Sequence, residues 1–238
     1  MKTLIADGTD EFAEIAAALI ASKVTDKPHL ALTLPTGSTP LALYERLARE
    51  YRAGRFSLAE ANVFMLDEYV DLPSYPEDSF REYLERHLGE VAFGELTTVH
   101  SLGPPGDLAQ CASYDAQLDA VGGLDLAIVG VGRNGHVGFN EPGTSPGART
   151  HVVTLAEGTI EANFANVDVS RRPSRAVTVG LRDLREARAI VMLVAGAFKH
   201  DVARTLVAEH FDSVVPATWL LGHPQLTVVV AGELLEPS

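Results

Sequence analysis

The sequence predicts an α/β fold, three layers deep (α/β/α), doubly wound about a mainly parallel sheet. Three observations predict it. Short apolar runs alternate with segments of helical periodicity. The clearest run, LDLAIVGVG (124–132), is apolar almost throughout, as a strand covered on both faces must be. The polar, glycine-bearing segments fall just after such runs, where open α/β sheets bind ligands. With 238 residues, 46% hydrophobic and 21% charged, the chain suffices for one domain (1–238) with a sizeable core.

The elements follow in order. Residues 3–6 open a short strand. Residues 10–23 (DEFAEIAAALIASK) set apolar positions at helical spacing behind Asp10, read as the cap. HLALTL (29–34) is a strand, followed by a turn and a helix from Pro40 to about Arg52. NVFMLDEY (62–69) reads as strand then loop, and DSFREYLERHL (78–88) as a helix capped by Asp78. TTVHSL (97–102) is a short strand, 103–106 a loop, and 107–120 a helix ended by Gly122 and Gly123. RAVTVGL (175–181), ARAIVMLVAG (188–196) and QLTVVVAG (225–232) are further strands, with a helix over roughly 197–209. Residues 133–174 are the least periodic, and long loops of this composition form lids or sites; 145–174 is the expected lid.

Charge narrows the function. The net charge is −13, from 32 acidic and 19 basic residues, which repels nucleic acid and anionic lipid. A small anionic substrate is still compatible, because local N–H groups and one cation outweigh the global field at short range. The single cysteine, Cys111, permits no internal disulfide and fits a reducing compartment. No run approaches a membrane span and the first residues lack a signal-peptide pattern, so a cytoplasmic protein is expected.

Four segments carry candidate chemistry. In PTGSTP (35–40), Thr36, Gly37, Ser38 and Thr39 stand between a strand and the Pro40 helix start. Such a turn is either an ordinary capped junction or a cradle whose N–H groups and hydroxyls converge on an anion. Asp67 and Glu68 follow NVFML, each readable as a general base or as a helix cap. GVGRNGHVGFNEPG (130–143) combines glycines with Asn134, His136, Asn140 and Glu141. The unperturbed pKa of a histidine such as His136 suits proton transfer near neutrality, and a carboxylate such as Glu141 can orient it and stabilise its charged form. Lys199 begins a helix after a strand, as a phosphate ligand or a solvated lysine. The histidines show no zinc-type spacing, so no metal site is expected.

Together, PTGSTP (35–40), LDEYVDLP (66–73), GVGRNGHVGFNEPG (130–143) and AVTVGL…ARAIVMLVAGAFK (176–199) resemble the glucosamine-6-phosphate deaminase family over almost the whole chain. GHVGFNEP is the most specific part; the related 6-phosphogluconolactonases share the fold without FNEP. The resemblance implies a modified Rossmann-like fold and deamination of an aminosugar 6-phosphate to a ketose 6-phosphate and ammonia. It implies that residues 36–39 and Lys199 hold the phosphate, that His136 with Asn134 and Glu141 opens the sugar ring, and that Asp67 moves a proton between C2 and C1. It implies no metal or organic cofactor, a small phosphosugar as partner, and a monomer or small homo-oligomer.

This sequence departs from the family's pattern in three places. Asn134 stands where Asp is common. Ala165, in ANFAN (162–166), stands where glucosamine members carry a phosphate-binding arginine, so that contact is either missing or supplied by Arg171, Arg172 or Arg175. Around 151–154 (HVVT) the basic residues that some members use for allosteric sugar-phosphate binding are replaced, so no such activation is expected. RRPSRAVTVGLRDLREARAIVMLV and LDEYVDLP look closer to the galactosamine branch, which would give tagatose 6-phosphate; the leading expectation is the glucosamine substrate giving fructose 6-phosphate.

Overall fold

The apolar runs become strands because their side chains leave water on both faces of a sheet. The computed structural model describes residues 1–71, 79–92, 97–104, 106–164, 167–169 and 172–236. Asp78, Ala165 and Arg171 lie outside them. In chain order the strands are β1 (Lys2–Ala6), β2 (Ala31–Leu34), β3 (Asn62–Met65), β4 (Asp67–Tyr69), β5 (Thr98–His100), β6 (Ala127–Gly130), β7 (His151–Thr154), β8 (Arg175–Thr178), β9 (Ile190–Val194) and β10 (Leu226–Ala231). The helices are α1 (Gly8–Asp26), α2 (Leu41–Arg52), α3 (Phe80–Ala92), α4 (Leu108–Ala120), α5 (Glu157–Phe164), α6 (Leu181–Arg185) and α7 (His200–Val207). None of these helices is long and apolar enough to cross a membrane.

Two parallel ladders, β1-β10-β9-β6 and β2-β3-β5, form the central layer of the α/β/α fold. They meet between β2 and β6 through one bridge, Leu32 to Leu126. Thr33 completes the seam with its side chain. Its hydroxyl donates to the Ile128 carbonyl and accepts from the Ile128 N–H, both at 3.0 Å, doing the work of a missing rung. The strands and the helices packed on them share one large apolar core that includes Phe12, Leu47, Phe64 and Tyr114.

Four expectations need correction. Asp10 is not the cap of α1: the helix starts at Gly8, behind Asp7, and Asp10 lies in its first turn, where an acid favours the helix dipole. Residues 67–69 are not loop but β4. The stretch 133–174 contains β7 and α5. RAVTVGL does not extend the parallel sheet; β8 lies antiparallel between β4 and β7 in a separate small sheet. That small sheet encloses its own apolar cluster of Tyr69, Phe139, Leu155, Phe164 and Ala176, which forms a wall beside the carboxyl edge of the main sheet.

Candidate active site

The carboxyl ends of β2, β3, β6 and β9 open into one cavity of about 220 Å³. The segment after β2 supplies Thr36, Gly37, Ser38 and Thr39 to its lining. Gly37 turns the chain at φ +87°, a conformation other residues resist. Two tyrosine hydroxyls hold the turn from behind: Tyr44 donates to the Pro35 carbonyl, and Tyr83 to the Gly37 carbonyl at 2.6 Å. A pinned carbonyl fixes its peptide plane, and the N–H of the next residue points the other way. Lys199, at the start of α7, donates to the Thr39 hydroxyl at 2.9 Å, and that hydroxyl donates to the Ala195 carbonyl at 3.2 Å. Burial pulls the Lys199 ammonium down to about 8. The turn and the lysine, separate candidates in the sequence, therefore form one cationic, N–H-rich end of the cavity.

Asp67 follows β3 by one residue and lines the same cavity. It is 6% exposed, and its Oδ1 has no hydrogen-bond partner among the described residues. Burial, and secondarily the neighbouring Glu68, push its carboxyl well above the usual range. Glu68 has the opposite arrangement. Its carboxylate accepts from the N–H groups of Tyr69, Phe80 and Arg81 at 2.8, 3.0 and 2.9 Å, seating the first turn of α3. Of the two adjacent acids, Glu68 is occupied with structure and Asp67 is left available.

The loop after β6 carries the imidazole. The His136 ring occupies the space over Gly132, where a Cβ would lie 2.1 Å from Cε1, so that position admits no side chain. Asn134 orients the ring: its Oδ1 accepts the His136 backbone N–H at 3.1 Å and faces Nδ1 at 2.8 Å. Its Nδ2 donates to Glu141 at 2.7 Å, which fixes the amide's orientation. Nδ1 therefore carries the proton in the neutral ring, and Nε2 is the free acceptor. Glu141 lies 3.6 Å from Nδ1 and also accepts from the Thr159 hydroxyl at 2.9 Å. Burial lowers the His136 pKa, with Glu141 opposing and Lys199 adding to the shift.

FNEP resolves into separate jobs. Phe139 stacks with Phe80 in the cavity wall, their planes 9° apart. Asn140 is fully buried and donates to the carbonyls of Val137 and Val179 at 2.8 Å, pinning the loop to the end of β8. Glu141 reaches back to the histidine system. No motif in the sequence marks Thr159, Phe80 or Tyr83. Thr159 and Tyr83 resemble ordinary helix residues there, and only the fold brings them to the site.

The sequence-predicted residues Thr36, Gly37, Ser38, Thr39, Asp67, His136 and Lys199 line one cavity, with Asn134 and Glu141 directly behind His136. Arg172 and Arg175, candidate phosphate cations, are not brought to it: Arg172 donates to the Val167 carbonyl at 2.8 Å and Arg175 pairs with Asp71 at 3.9 Å.

Residues 3–229 match the family described as glucosamine-6-phosphate isomerases/6-phosphogluconolactonase. The chain belongs to this family. Within it, a glucosamine-6-phosphate deaminase of Halothermothrix orenii is 37% identical over 98% of both chains. One from Beutenbergia cavernae is 38% identical over 97% of this chain and 90% of its own. A solved monomeric glucosamine-6-phosphate deaminase superposes with a TM-score of 0.87 at 33% identity, covering 98% of both chains. The 6-phosphogluconolactonase of Trypanosoma brucei, at 19% identity and a TM-score of 0.76 over 98% of this chain and 97% of its own, shares the fold.

Proposed function

We infer that this family member is a glucosamine-6-phosphate deaminase, converting glucosamine 6-phosphate and water to fructose 6-phosphate and ammonia. One observation carries the reading: a buried carboxyl with an oxygen unpartnered among the described residues shares a cavity with an oriented imidazole and with a lysine-backed anion cradle. The sugar phosphate is held at residues 36–39 and Lys199, which leaves C1 and C2 toward His136 and Asp67. His136 Nε2 takes the C1 hydroxyl proton and returns it to the ring oxygen, opening the pyranose. Asp67 removes the C2 proton while the C1 oxygen gains one that the substrate's ammonium gives up, forming an enolamine; Asp67 then returns its proton to C1, leaving a C1 hydroxyl and a C2 iminium. Water hydrolyses the iminium to the ketone with release of ammonia. A carboxyl held well above its usual range suits a group that must both take and give a proton. Asn134 and Glu141 position the imidazole without touching the reacting carbons.

Ammonia release from glucosamine 6-phosphate and galactosamine 6-phosphate, measured side by side, tests the reading. Turnover of the gluco substrate with the higher kcat/KM is expected. Preference for the galacto epimer moves the assignment to tagatose 6-phosphate production. Hydrolysis of 6-phosphogluconolactone with no ammonia from either aminosugar overturns the deaminase.

A further inference from the structure

Arg133 sits between Gly132, which lines the cavity, and Asn134, which orients the imidazole. Among the described residues it pairs with no carboxylate, in a chain whose acids outnumber its bases 32 to 19. Its guanidinium carbon instead lies 4.8 Å from the centre of the Phe198 ring. Phe198 is unusual in two respects. Its backbone is left-handed, at φ +66°, a region that bulky residues avoid. Its side chain is 72% exposed, so core packing does not account for the strain. The strained residue does put an aromatic face under Arg133 while the next residue, Lys199, reaches Thr39.

We propose that Arg133 is a second cation for the substrate's phosphate, held ready on the face of Phe198 beside Lys199. A guanidinium that stacks on a ring uses its flat face and leaves its in-plane N–H groups available, the geometry that takes two phosphate oxygens at once. The pair joins the loop after β6 to the loop after β9; each partner is the chain neighbour of a cavity-lining residue, Arg133 of Gly132 and Phe198 of Lys199. Arg172 and Arg175 are committed elsewhere. The proposal deepens the deaminase reading and rests on it for the identity of the substrate.

Steady-state kinetics on R133M, R133K and F198G test it, with inorganic phosphate as competitive inhibitor and as calorimetric ligand. In R133M, KM for glucosamine 6-phosphate and Ki for phosphate rise together by roughly ten-fold, the weight of one charged hydrogen bond, while kcat stays within about two-fold. R133K recovers part of the loss. F198G suits the left-handed backbone, so it melts no lower than the parent, yet it raises KM; in the R133M background it adds nothing. Unchanged KM and Ki in R133M overturn the proposal, as does a joint fall in kcat and melting temperature with KM unchanged, the mark of a residue that only packs the loop. If the parent enzyme releases no ammonia, the deaminase reading falls by itself. Calorimetry then decides Arg133: weaker phosphate binding by R133M sustains its role as an anion ligand, and equal affinity ends it.

Discussion

Two buried aspartates stand at opposite edges of the same sheet. Asp125, before β6 at the amino edge, accepts from Lys27 Nζ at 2.7 Å, from Arg188 Nη1 at 2.9 Å and from the Ala31 N–H at 2.9 Å. Asp67, beyond β3 at the carboxyl edge, has an oxygen with no partner among the described residues and a carboxyl pKa held up by burial. Burial is similar; compensation is not. Where partners offset the lost hydration, the acid supports the fold. Where they are absent, the fold bears a cost and the acid is free to react.

The largest expected effect comes from Asp67→Asn. Ammonia release falls by about 10²–10⁴-fold, the usual weight of a general acid–base group. The same substitution stabilises the protein. Asp67 has a folded pKa above its unfolded one, so its stabilising contribution is full below the ordinary aspartate range and is lost as pH rises through the folded value. The asparagine variant should melt above the parent, by a margin that widens from pH 5 to pH 8. A variant that melts lower at pH 8 breaks the comparison.

Asp125→Asn should do the reverse, keeping kcat while destabilising the fold by about 1–3 kcal/mol in urea titration. Its two cations are half exposed and are left solvated rather than stranded, which keeps the loss in that range. Lys199 extends the logic to a buried cation. Its ammonium loses its proton above about pH 8, so kcat/KM should decline beyond that point, approaching about ten-fold per pH unit, and Lys199→Met should flatten the decline at a lower plateau. The smallest effect is expected from Asn134→Asp. A carboxylate cannot donate to Glu141 and adds charge beside the imidazole, so the acidic limb of the kcat profile should move up by no more than about one pH unit.

Much of this was legible in the sequence, for a physical reason. A turn such as PTGSTP or GVGRNGH has its backbone requirements written in local residues, and its place after an apolar strand sets it at the carboxyl edge. Asp67 and His136 could be found that way. What stayed hidden depends on partners distant in the chain. RAVTVGL is as apolar as a strand of the main sheet, so its composition does not say that β8 pairs antiparallel with β4 and β7. Nor does DEY show that Asp67 Oδ1 has no partner among the described residues while Glu68 holds three N–H groups; that difference depends on where α3 begins. The hydroxyls inside LTL and AVTV do carry a signal. A threonine in the middle of a buried strand needs a partner, and Thr33 and Thr178 find theirs in Ile128 and the Phe139 N–H.

Thr33 has a mechanical consequence. The groups proposed to grip the phosphate from β2 and to work on C2 from β3 belong to one ladder, while His136 and Lys199 are carried by the other. The Thr33 hydroxyl, beside the Leu32–Leu126 bridge, therefore helps set the gauge between two rails of the same track. Sliding at that joint would change the span that a six-carbon chain must bridge, which ties the reach of the site to the floor of the sheet as well as to the walls of the pocket.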